Sequence, residues 1–80
     1  MTIPDELRDV LVQTPDTLSG AVRFQGTRVF VLCLLDTLRS GASVDDFLEG
    51  YPDVSREQAL AVIRWQQDAA RVFFGVDRAA

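Results

Sequence analysis

Eighty residues make one small domain, near the size at which a single core barely holds a chain together. Apolar residues make up 48% of it, enough for a core with a surplus that a dimer would use. The formal charge of −4 argues against non-specific nucleic-acid binding, so any DNA contact must come from a local patch. No histidine is present, which removes His-based metal sites, triads and proton shuttles, and the single cysteine, Cys33, rules out an intramolecular disulfide. That cysteine usage suits a reducing cytoplasm. The longest apolar run, Val29 to Leu35, falls far short of the ~20 residues that span a bilayer, so no membrane role is expected. Asp5 and Glu6 stand where a signal peptide would carry basic residues. All eight basic residues are arginine. Bidentate phosphate or guanine recognition would use them, but codon bias in a GC-rich genome explains the usage more simply.

Pro4-Asp5-Glu6-Leu7 can open a short helical turn, with proline first and acids near its positive end. Val10-Leu11-Val12-Gln13 and Val22-Arg23-Phe24-Gln25 read as two strands within residues 9–25, the second with Val22 and Phe24 inward. Pro15-Asp16 and Ser19-Gly20 are turn signals between them. Gly26 breaks the chain, and a first helix is expected over 27–40, capped by Thr27 and ended by Gly41. Its core stripe is Leu34, Leu35 and Leu38, with Phe30 or Val31 a turn earlier, and Cys33 is a small core residue within it. Arg28 either pairs with a carboxylate in the strand-to-helix corner or faces a ligand. Ser43 caps a short second helix, 44–50, with Asp45 and Asp46 at its positive end and Val44, Phe47 and Leu48 inward. Pro52 prevents its continuation. Ser55-Arg56-Glu57-Gln58 is a capping box, and the third helix it opens can run over 56–74 to Gly75.

At ~100° per residue, Ala59, Val62, Ile63, Ala70 and Phe73 share the core stripe of the third helix. Arg64, Gln67 and Arg71 fall together beside it. Ala61, Trp65 and Val72 form a further apolar strip, which suits either a partner surface or packing against the N-terminal strands of the same chain. The Arg64-Gln67-Arg71 strip could reach phosphates or base edges, with Arg56 at the end that enters the groove first in a helix-turn-helix; equally, it is an ordinary solvated face. Asp45, Asp46, Glu49 and Asp53 make the second helix and its turn negative, and that side must point away from any bound DNA.

The order Pro15-Asp16, Ser19-Gly20, Phe24, Gly26-Thr27-Arg28-Val29, Val31, Leu34-Leu35, Leu38, Gly41, Ser43, Leu48, Tyr51-Pro52, Ser55, Glu57, Gln58 resembles bacterial domain-of-unknown-function family number 433. The resemblance covers roughly residues 9–66. That family is similar to the DNA-binding part of VapB-type antitoxins. It implies a mainly α fold: an N-terminal β-hairpin or strand pair followed by a three-helix helix-turn-helix bundle, often dimeric through the strands. It also implies an antitoxin or transcription-autoregulator role beside a PIN-like ribonuclease toxin.

The expected function is therefore operator binding by a dimeric helix-turn-helix. The alternative is a protein-interaction module on the same scaffold that binds a toxin or other partner without DNA. Arg56, Gln58, Arg64, Gln67 and Arg71 are the candidate contacts to double-stranded DNA. Val10, Val12, Phe24, Trp65 and Val72 are the candidate residues of a homodimer or partner interface. No cofactor and no metal are expected. Nothing in the chain supplies a nucleophile with its base, so an enzyme is not expected.

Overall fold

The computed structural model describes residues 3–15 and 20–75. The turn signals at Asp16 and Ser19 lie outside the described residues, as does the C-terminal Asp77-Arg78-Ala79-Ala80. A 3-10 turn at Asp5–Leu7 leads into two short strands, β1 (Leu11–Val12) and β2 (Arg23–Phe24). Three helices follow: α1 (Val31–Arg39), α2 (Val44–Gly50) and α3 (Arg56–Phe74). The chain is thus mainly helical, with an antiparallel strand pair ahead of the helices, in the register Leu11 to Phe24 and Val12 to Arg23.

The first helix begins four residues later than Thr27 predicts. Gly26 takes a φ of 77°, a left-handed turn that a side chain would disfavour, and reverses the chain after β2. The backbone then returns along β2: Phe24 N–H donates to the Val29 carbonyl and Val31 N–H to the Val22 carbonyl, each at 3.0 Å. A bridge between Arg23 and Phe30 completes this third extended piece. Thr27 serves the turn rather than the helix. Its hydroxyl donates to the Phe24 carbonyl and accepts from Val29 N–H, both at 3.0 Å. Phe30 holds the N-cap position with no side-chain bond. The β-branched Val29 and Val31 fit the bridge well, and pairing with β2 outweighs a local cap.

Helices α2 and α3 carry full capping boxes, because the signal there depends on side chains three residues apart and on nothing distant. Ser43 accepts from Asp46 N–H while Asp46 accepts from Ser43 N–H, at 3.1 and 3.0 Å. Ser55 and Gln58 repeat the exchange at 3.1 and 2.9 Å. Gly75, left-handed at φ 71°, closes α3.

The core is Leu7, Leu11, Phe24, Leu34, Phe47, Val54, Ala59 and Val62. It draws at least one residue from every element and one from the turn before α3. Phe24 of β2 lies against Phe47 of α2 with ring centroids 6.1 Å apart, and Phe47 lies against Tyr51 at 4.9 Å. Leu35 and Leu38 pack at the edge of this core. Cys33 is half-buried there, not enclosed as the sequence suggests. The Tyr51 phenol stands beside it, and the hydrogen bond to that thiol raises the phenol pKa above its ordinary value.

Candidate interaction surface

The core uses only the first part of α3. Ala59 and Val62 are buried and Ile63 is half-buried, yet every residue from Arg64 to Phe74 is exposed. A 19-residue helix is about 28 Å long, so roughly half of it extends past the packed body. The molecule measures 45 Å on its long axis with a radius of gyration of 13.6 Å, above the ~12 Å of a compact chain this size. The core stripe expected from periodicity is correct in angle and wrong in length. Ala70 and Phe73 continue the face of Ala59 and Val62, but no other described element reaches them.

The overhang is amphipathic. Arg64, Gln67, Asp68 and Arg71 share a polar sector, and Trp65, Ala69, Ala70, Val72, Phe73 and Phe74 cover the remaining surface, interrupted by Gln66. Val72, Phe73 and Phe74 are 75%, 82% and 73% exposed, and the two phenyl rings meet edge to face at 5.1 Å. Large apolar side chains gathered at one end of an 80-residue protein form a patch of the kind that marks interaction sites.

Two hollows adjoin its base. The larger, about 500 Å³, lies between the N-terminal segment (Ile3, Pro4, Leu7), the strand region (Leu11, Val22), α1 (Val31, Leu32, Leu35) and α3 (Val62, Trp65, Gln66). Gln66 is its one polar wall. The smaller, about 300 Å³, runs along α3 from Ala61 to Val72 beside Glu6 and Leu7. Trp65 borders both and is 37% exposed, so its ring combines self-packing with an open face. Leu32, on the rim of the larger hollow, is 61% exposed.

The candidate DNA residues divide into two groups. Arg56 is ion-paired with Asp45, so the N-terminus of α3 is tied to α2. Gln58 is committed on both sides of its amide. Its oxygen completes the capping box, and its nitrogen donates to the Gln25 carbonyl at 3.0 Å, fastening α3 to the turn after β2. Gln58, a candidate contact to DNA in the sequence, serves here as a joint between elements. From Asp45 to Glu57 the sequence carries five carboxylates (Asp45, Asp46, Glu49, Asp53 and Glu57) and the single guanidinium of Arg56. In a helix-turn-helix this is the end that approaches phosphates, and here it is negative. Asp46 remains a carboxylate to unusually low pH, because the Ser43 backbone N–H and then its hydroxyl stabilise the charge. Arg64, Gln67 and Arg71 form the second group, exposed on the overhang. Arg28 is also exposed and belongs to no ion pair among the described residues, so the corner pairing predicted for it is not found there. The corner is held instead by Arg23, whose Nε donates to the Thr27 carbonyl at 3.1 Å.

The candidate interface residues also divide. Phe24 is wholly buried by its own chain and has no surface to offer a partner, which corrects its placement at an interface. Val10 and Val12 are half-buried beside the strand pair. Trp65 and Val72 stand open on α3. Sequence reasoning missed Phe73 and Phe74 as surface groups and Leu32 as part of a groove rim. The available signal was length: a helix running to Phe74 outreaches any body that two-residue strands and a seven-residue helix can build.

A strand pair followed by three helices, the last two with capped starts, defines a small, mainly helical domain. Residues 11–65 match the family described as protein of unknown function DUF433, and the chain belongs to that family. The match ends at Trp65, where the overhang begins. No curated protein and no solved structure matches the chain.

Proposed function

We propose that this protein is a protein-interaction module of the antitoxin type, with the overhanging half of α3 as its docking element. One observation supports the reading: Val72, Phe73 and Phe74, together with the open face of Trp65, form an exposed apolar surface on α3. The acidic N-terminal end of α3 further supports a protein over a polyanion as ligand. A ribonuclease toxin encoded beside this protein is the natural first partner to try.

Operator DNA is the second reading, favoured by the exposed Arg64-Gln67-Arg71 sector on the same half-helix. The two readings separate on one comparison. The protein is co-expressed with the product of the neighbouring reading frame, and its binding to a duplex from its own upstream region is measured by anisotropy. The interaction reading expects a complex with the neighbour's product that is lost in Trp65→Ala with Phe73→Ser, and duplex affinity no better than for a scrambled sequence. Tight, salt-weakened preference for the native duplex, lost in Arg64→Ala with Arg71→Ala and unaffected by Phe73→Ser, would replace it with the operator reading.

A further inference from the structure

We infer that the smaller hollow takes an arginine side chain of a partner protein, its guanidinium set on the Trp65 ring and paired with the Glu6 and Asp68 carboxylates. The inference rests on the reading of the overhang as a protein-docking element and names the chemistry that the partner brings to it.

Two elements wall this hollow. The 3-10 turn supplies Glu6 and Leu7, and α3 supplies Asp68, Trp65 and the apolar Ala61 and Val72. Neither carboxylate has an ion pair among the described residues, since Asp5 takes Arg8 at 3.0 Å and Asp45 takes Arg56. At ~100° per residue, Asp68 lies about 40° from Val72 and about 60° from Trp65, so it intrudes on the apolar strip of α3 from the polar flank. Gln67 and Arg71 turn further away and do not line the hollow. A partner that covers the strip therefore covers this carboxylate as well. Burying a carboxylate without a counter-charge is costly, so the covering surface has to carry a cation there.

The rest of the lining selects the kind of cation. Leu7, Ala61 and Val72 offer an apolar floor for a methylene stem. Trp65, 37% exposed, offers a ring face to a planar charge. A guanidinium suits this better than an ammonium, because its flat fork stacks on an indole while it donates to carboxylates from two elements. A volume of about 300 Å³ gives room for one long side chain. Arg64 is the opposing charge. It stands at the far edge of the lining, about 100° from Trp65, and leaves the carboxylates in excess by two to one. The chain's net charge of −4 favours the same basic partner at long range. The larger hollow has only Gln66 as a polar wall and selects no charge.

Titration of the isotope-labelled protein, followed by NMR, tests this with three probes of one stem: butylguanidinium, butanol and butanoate. Trp65 is the chain's single tryptophan, so its indole N–H resonance reports on the hollow without ambiguity. Butylguanidinium is expected to shift that resonance and the Asp68 amide saturably, butanol about tenfold more weakly, and butanoate not at all. Asp68→Asn, at an exposed position, is expected to reduce butylguanidinium to the level of butanol, and Arg64→Gln to strengthen it. Equal response to butanol and butylguanidinium, or no saturable response to any probe, would overturn the inference. So would guanidinium binding indifferent to both Asp68→Asn and Glu6→Gln, which means general attraction to an acidic chain. In each of these cases a complex with the neighbour's product that still needs Trp65 and Phe73 leaves the docking reading intact. Selective guanidinium binding in a protein whose Trp65→Ala with Phe73→Ser alters no protein complex would instead overturn the docking reading and, with it, the assignment of the cation to a partner protein.

Discussion

Asp46 shows how much of this protein is decided between residues three apart. Its carboxylate accepts from the Ser43 backbone N–H and has the Ser43 hydroxyl beside it, which depresses its pKa in the fold relative to the unfolded chain. A depressed carboxylate contributes stability above its unfolded pKa, and that contribution is lost as the pH falls through the lower, folded value. The melting temperature of wild type should therefore exceed that of Asp46→Ala at neutral pH, with the gap closing under strongly acid conditions; a gap independent of pH would mean the carboxylate plays no part in the cap. Ser55→Ala removes the corresponding oxygen at the head of α3 and should lower stability by about 1 kcal/mol in urea unfolding, within the range usual for N-cap loss. Both capped starts were legible in the sequence because a Ser-x-x-Asp or Ser-x-x-Gln spacing is self-contained. Thr27 was misread for the opposite reason. Its hydroxyl had two local uses, and the choice was made by Val29 and Val31 pairing with a strand five or more residues away. Gln58 illustrates a third case: its capping role was visible, whereas its bond to the Gln25 carbonyl depends on a contact 33 residues apart that no pattern announces.

At the scale of elements, α3 consists of two halves with one periodicity and different surroundings. The hydrophobic pattern placed Ala59, Val62 and Phe73 on one face, and the angle is right. Which part of that face is covered depends on how far the other elements extend, and the pattern holds no such information. Two substitutions of the same residue type separate the halves. Phe47→Ala empties a fully enclosed site between Phe24 and Tyr51 and should cost about 3–5 kcal/mol, enough to unfold much of an 80-residue domain. Phe73→Ala should change the stability of the monomer by no more than about 0.5 kcal/mol, because its side chain is 82% exposed. Chemical denaturation at low protein concentration compares them directly. Equal losses would mean that Phe73 is packed in the folded monomer, contrary to the arrangement described here.

For the whole molecule, charge and apolar surface point the same way. From α2 to the start of α3 the chain carries five carboxylates against the single Arg56, and the opposite end of α3 presents three large apolar side chains. The mainly helical class with a leading strand pair was legible from composition, glycine punctuation and caps. The distribution of surface over the two ends of α3 was not, since it appears only when the helix is set against a body too small to cover it. The measurement that bears most directly on the docking role is hydrogen exchange along α3, followed by mass spectrometry for the protein alone, co-expressed with the product of the neighbouring reading frame, and with a duplex from the upstream region. If the overhang docks on protein, the amides of residues 66–74 exchange rapidly in the protein alone, become protected in the complex, and are indifferent to the duplex. Protection that appears only with the native duplex and weakens with salt would contradict the account and make α3 a DNA-reading helix.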